Sequence, residues 1–135
     1  MSIDYLLLFF TGWCPSQYPL GLSAGIITDN NVKGSSNSFS PASEARLRNN
    51  FAWEPLKLDK NAHITINLEK IVLVSGVATQ GFNDDGFSGR ITRYKVRYSY
   101  DGQAWYKYTY LNNSDKASCK HFYYPFSSRK ISFPY

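Results

Sequence analysis

Three observations predict an all-β, antiparallel fold. Short apolar segments alternate in polarity, turn signals separate them, and no stretch sustains a helical period. Aromatic residues make up 17% of the chain, mostly Tyr and Phe, and such side chains suit a pleated, half-buried surface. Many short strands divided by turns point to a sandwich or a barrel. The length of 135 residues fits one domain. A hydrophobic content of 43% sets the chain apart from disordered polymers.

The chain opens on a short apolar run, Tyr5 to Phe10. It is far too short to span a bilayer. Ahead of it stands Asp4 and no Lys or Arg, unlike an ordinary secretory signal. Residues 1–13 therefore read as a signal remnant or N-terminal extension, with a first strand as the alternative. Leu20 to Val32 is mildly apolar and closes on the turn cluster Asp29-Asn30-Asn31. Gly34 to Ser43 has the Ser, Asn and Gly content of a loop. Pro41 and Ser43 are start signals for one helical turn over Glu44 to Leu47.

Clear alternation begins at His63. Ile64, Ile66 and Leu68 point one way, and His63, Thr65 and Asn67 the other, as in a strand buried on one face. Ile71 to Thr79 reads as a buried strand interrupted at Ser75-Gly76, and Gln80 to Gly89 as a loop. Over Ile91 to Ser99, Tyr94, Val96 and Tyr98 face inward while Arg93, Lys95 and Arg97 face out. Asp101-Gly102 is a hairpin signal, because both residues tolerate positive φ, and Ala104 to Leu111 is the return strand. His121 to Tyr124 and Lys130 to Phe133 are two further short stretches.

A net charge of +5 is compatible with anionic lipid, acidic glycan or nucleic acid without choosing among them. The stripe Arg93, Lys95, Arg97 is explained by outward charges on an antiparallel strand, so no nucleic-acid partner is expected. Cys14 and Cys119 allow one disulfide and are equally consistent with two free thiols. Asn112-Asn113-Ser114 is a glycosylation sequon. The chain shows no nucleophile elbow, no H-E-x-x-H and no P-loop, and the adjacent Asp84 and Asp85 do not set the carboxylate separation of a glycosidase. A non-catalytic binding protein is expected.

An ordered set of motifs narrows the reading. Pro19-Leu20-Gly21-Leu22 follows Cys14. Next come Ile27-Thr28-Asp29, Ser35-Ser36, Ala45-Arg46-Leu47 and Ala52-Trp53. Ile64-Thr65-Ile66-Asn67-Leu68 is followed by Val77-Ala78-Thr79-Gln80-Gly81, and the last block is Tyr94 to Gly102 with Trp105 and Tyr108. This order resembles the discoidin, or coagulation factor V/VIII type C, domain over Cys14 to Leu111. Two positions depart from that pattern: His63 stands where Trp is usual, and Asn67 where Asp is usual. The resemblance implies a jelly-roll-like β-sandwich, a secreted or cell-surface setting, and a role in adhesion or recognition. The family also ends on a further strand and a Cys that pairs with the N-terminal one. The expectation is therefore a domain over 14–135 that lacks the usual final strand, possesses an unpaired sheet edge, and leaves Cys14 without that partner.

The resemblance further implies that loops at one end of the sandwich carry the ligand. The first loop holds Phe39. The second runs from Trp53 to Asn61 and holds Lys57 and Lys60. The third holds Phe82, Asp84, Asp85 and Phe87. Trp53 is expected to pack beneath the loops, and Arg46 to be structural. Acidic residues at the third tip disfavour anionic lipid and favour a polar or protein ligand. The expected partner is thus a cell-surface glycan or glycoprotein, with an anionic phospholipid surface second and a structural accessory role in a larger protein third. No cofactor is expected. Asp29 is the one candidate ligand for Ca²⁺, but that ion takes 6–8 oxygens, and an Asx turn accounts for the residue more simply.

Overall fold

The computed structural model describes residues 6–10, 18–36, 40–56, 61–74, 76–84, 87–89, 93–108 and 126–134. In chain order the strands are β1 (Leu6–Phe10), β2 (Tyr18–Pro19), β3 (Val32–Gly34), β4 (His63–Val74), β5 (Gly76–Thr79), β6 (Phe82–Asp84), β7 (Phe87–Gly89), β8 (Arg97–Ser99), β9 (Tyr106–Lys107) and β10 (Phe126–Pro134). A five-stranded sheet runs β3-β4-β10-β8-β9, a three-stranded sheet runs β2-β1-β5, and β6 pairs with β7. Every pairing is antiparallel. The fold is the all-β sandwich that the alternating segments predict.

The apolar positions of β4 explain the packing. Ile64, Ile66 and Leu68 are buried, as are Val72 and Val74, and Ile131 and Phe133 of β10 join them. Val77 of β5, Leu22, Ile27 and Val32 complete one contiguous cluster with Trp53, Tyr94 and Val96. Tyr94 meets Phe133 edge-on, with ring centroids 6.1 Å apart.

Several elements differ from the sequence-based expectation. The N-terminal run is the first strand, with Leu6 to Phe9 paired to Thr79 through Gly76. The helical turn forms over Ala42–Glu44, and Pro41 at its N-cap is extended, with ψ 157°. β4 continues through the expected break at Glu69-Lys70 by means of a large bulge. Ser128 pairs with Val72 and Lys130 with Asn67, so Arg129 alone faces Leu68 to Ile71. Glu69 takes φ 62° there. Its carboxylate accepts from Asn31 Nδ2 at 2.7 Å, and its N–H donates to Asn67 Oδ1 at 3.1 Å. The expected third loop carries the β6–β7 hairpin instead of irregular chain. β10 is one long strand in the sheet interior, paired with β4 on one side and β8 on the other. Among the described residues, the edges of that sheet are β3 and β9. His121 to Tyr124 lies outside the described residues.

The Asp101-Gly102 turn is wider than a two-residue hairpin, with Arg97 paired to Lys107 and Tyr98 to Tyr106. The cause is the Asp101 side chain. Its Oδ1 accepts the N–H groups of Gln103 and Ala104 at 2.7 and 2.9 Å, and the Ser99 hydroxyl at 3.1 Å. Gly102 supplies φ 82°, and a Cβ there would collide with the Lys130 side chain. The Gln103 N–H first, then that of Ala104, holds the Asp101 carboxyl below the ordinary carboxylate range, and the Ser99 hydroxyl adds to it. A depressed folded-state pKa gives stabilisation that is present above the unfolded value and is lost as pH falls through the folded one. Asp101→Ala is therefore expected to melt below wild type at neutral pH, with the gap narrowing in strong acid. Melting curves recorded across that range check it, and a gap independent of pH would refute the carboxylate's role.

Candidate functional site

The sheet registers bring three loops to one end. Gly34 pairs with Ile64, so the first loop leaves β3 beside the start of β4. Ser35 N–H donates to His63 O at 2.8 Å, and His63 N–H returns to Ser35 Oγ at 3.1 Å. The second loop ends at the same point, since it runs into His63. Pro134 of β10 pairs with His63, and Lys95 N–H donates to Pro134 O at 2.8 Å. The chain after the third loop thus returns to that end as well.

Side chains then tie the loops together. Trp53 is 0% exposed, and its indole N–H donates to Ser36 O at 2.8 Å. Gly34 makes room for it, because a Cβ at Gly34 would lie 2.6 Å from Trp53 Nε1. Leu56 N–H donates to Ser36 Oγ at 2.9 Å, which joins the second loop to the first. Arg48 N–H donates to Gln80 Oε1 at 3.2 Å, which joins the same segment to the root of the third.

This frame leaves two large apolar side chains in solvent. Phe51 is 56% exposed and Leu56 67% exposed, while Trp53 and Pro55 between them are buried. Neither Phe51 nor Leu56 was among the sequence-based candidates. The signal was present in part: Phe51 stands two residues before a Trp that must turn inward, and Leu56 is the first residue after a buried Pro.

Of the sequence-based candidates, Trp53 is buried beneath the loops, as its expected packing implies, and has no surface to offer a ligand. Phe82 and Asp84 lie on β6 and Phe87 on β7, on the paired backbone of the β6–β7 hairpin. Phe39, Lys57, Lys60 and Asp85 lie outside the described residues, as do Cys14, Cys119 and Asn112. Asp29 has a different partner from the one weighed in the sequence. Its Oδ1 accepts from Arg46 Nη2 at 2.6 Å, and Arg46 also donates to Ile27 O at 2.9 Å and to Leu22 O. Asp29 is thus an anchor for Arg46, which buckles the segment from Leu22 to Asp29 onto the core. Among the described residues, no three His, Cys, Asp or Glu side chains gather as metal ligands. No helix among them is long and apolar enough to cross a membrane.

A rigid antiparallel sandwich with cross-tied loops at one end defines a class of small modules that display loops from a fixed scaffold. Comparison with known proteins places the chain within that class: it belongs to the F5/8 type C domain family, whose pattern matches residues 28–133. It is 32% identical over 102 residues to EGF-like repeat and discoidin I-like domain-containing protein 3 of Homo sapiens, covering 67% of this chain and 21% of that protein. It is 34% identical over 96 residues to lactadherin of Bos taurus, covering 63% of this chain and 22% of that protein. The chain therefore spans about a fifth of the length of these relatives. Among solved structures it resembles CpGH89CBM32-6 produced by Clostridium perfringens, with TM-score 0.52, 22% identity, and coverage of 76% of this chain and 79% of that one. That likeness is one of fold.

Proposed function

We propose that this domain is an extracellular recognition module, without catalytic activity, whose loop end binds a cell-surface glycoprotein or its glycan. The observation that carries the reading is the outward pair Phe51 and Leu56 on loops held rigid by Trp53, Ser36 and Gln80. An apolar centre accompanied by charges of both signs suits a polar or protein partner. In the sequence, Lys57, Asp59 and Lys60 follow Leu56, and Asp84 and Asp85 belong to the third loop segment. Membership of the F5/8 type C family, with relatives such as lactadherin, supports a carbohydrate- or phospholipid-binding role.

A second reading is an anionic phospholipid surface. The adjacency of exposed Leu56 to Lys57 favours it, since an apolar tip beside a cation suits a headgroup boundary. Asp84 and Asp85 oppose it by repelling anionic lipid. Co-sedimentation with phosphatidylserine liposomes, run beside a glycan array, separates the two. The first reading expects no pelleting and a discrete glycan signal, or capture by cells that trypsin abolishes. Pelleting that needs phosphatidylserine and is lost in Leu56→Ala would replace it with the second.

A further inference from the structure

The face of the five-stranded sheet turned away from the core carries a pattern that the loop end does not use. Side chains alternate along a strand, so the burial of Ile64, Ile66, Ile131 and Phe133 turns Thr65, Asn67, Lys130 and Ser132 to the opposite face. The registers set Lys33, Thr65, Ser132, Arg97 and Lys107 in one row across β3, β4, β10, β8 and β9. The row on the loop side holds His63, Pro134 and Lys95, and the row on the far side holds Asn67, Lys130 and Ser99. Five cations therefore share this face: Lys33, Lys95, Arg97, Lys107 and Lys130. The three rows contain no Asp or Glu.

A groove of about 260 Å³ lies between the central row and the loop-side row, lined by Thr65, Ser132 and Arg97 of the one and His63 and Pro134 of the other. Half-buried Trp105 and exposed Arg97 line it, with His63, Asn61, Thr65 and Ser132. Thr65 Oγ1 donates to Ser132 Oγ at 3.3 Å, and His63 Nδ1 meets Asn61 O at 2.6 Å. Among the described residues, the groove thus combines an indole, hydroxyls, an imidazole and a guanidinium, with no carboxylate in its lining.

We propose that this face binds a linear sulfated polysaccharide, with one saccharide ring against Trp105 and its sulfate or carboxylate on Arg97. A guanidinium forms strong, charge-assisted bonds with such oxyanions. The row crosses five strands at the ordinary spacing of about 4.8 Å, so its cations are spread along a line, as the charges of such a chain are. Among the described residues, the large exposed apolar side chains, Ile26, Phe51, Leu56, Ile71, Tyr100 and Tyr106, all lie outside these rows, so these rows offer no apolar wedge for lipid. The one indole in the groove among the described residues, Trp105, serves one saccharide ring, whereas single-stranded nucleic acid is held by successive stacking platforms. The inference is independent of the reading of the loop end.

The test is calorimetric titration with a size-defined heparin oligosaccharide, its desulfated counterpart and an oligothymidylate of matched charge. The expected result is binding to the sulfated sugar that weakens steeply with added salt and falls at least about tenfold on desulfation. The double variant Lys33→Ala/Arg97→Ala is expected to lose about tenfold in affinity, and Lys33→Arg/Arg97→Lys to retain most of it, at unchanged melting temperature. Trp105→Phe is expected to bind nearly as well as wild type, because a ring remains. Phe51→Ala/Leu56→Ala leaves this binding unchanged, which separates it from the loop end. Wild-type affinity in Lys33→Ala/Arg97→Ala, equal binding of desulfated sugar, or equal binding of the oligothymidylate would overturn the proposal.

Discussion

Trp53→Ala is expected to cost about 3–5 kcal/mol of folding free energy, the range for deleting a buried indole. Trp53 is wholly buried in the main cluster and is the largest side chain there. Its removal acts in two ways. It leaves a void against Gly34, and it strips Ser36 O of its donor at the point where the first loop leaves β3. The variant should therefore lose ligand binding together with stability. Trp53→Phe refills part of the void without restoring the hydrogen bond, and should recover about half of the loss. Urea denaturation monitored by far-ultraviolet circular dichroism measures both. A loss below about 1 kcal/mol in Trp53→Ala would show that the loops are held by other contacts.

Arg46→Ala is expected to destabilise by about 2–4 kcal/mol, the second-largest effect. The Arg46 side chain is 13% exposed, and its guanidinium satisfies the carbonyls of Leu22 and Ile27 as well as Asp29. Truncation leaves part-buried carbonyl oxygens without a donor. Asp29 is 74% exposed, so Asp29→Ala should cost about 1 kcal/mol at most. Arg46→Lys should recover little, because an ammonium cannot span the same fork. Equal losses in Arg46→Ala and Asp29→Ala would mean that the ion pair, and not the carbonyl contacts, supplies the stability. This arrangement also explains why Asp29 reads ambiguously in the sequence. A lone Asp in a turn looks the same whether its partner is a backbone N–H, a cation or an Arg seventeen residues later.

The sheet core was legible because burial follows alternation. Ile64, Ile66 and Leu68 lie inside, and Tyr94 and Val96 do so even though the formal strand begins only at Arg97. The Asp101-Gly102 turn was legible as chemistry, and its greater width follows from how many N–H groups one carboxylate can hold. In the sequence β10 reads as a short stretch, because its buried Ser128 is polar. Its hydroxyl donates to Ser99 O at 3.1 Å, a satisfied contact that no hydropathy pattern reveals. The bulge in β4 was hidden for a related reason, since Glu69 and Lys70 read as the end of a strand. At the loop end, the support role of Trp53 was legible, whereas the outward pair was not. An exposed Phe or Leu carries no periodicity, and only the tie from Leu56 to Ser36 fixes which way it turns. The cationic rows of the outer face were half legible. Alternation gives Arg93, Lys95 and Arg97 one side, but registers across five strands are needed to bring Lys33 and Lys107 beside them.

Recognition of a cell-surface partner through Phe51 and Leu56 is the proposed role of the loop end. Equilibrium binding of the labelled domain to intact cells, compared with the Phe51→Ala/Leu56→Ala variant, tests it most directly. Both residues are exposed, so the variant should keep its stability to within about 0.5 kcal/mol. At least about a tenfold loss of cell binding is expected, roughly the effect of removing one or two interface hot spots. Undiminished binding by the folded variant would contradict it.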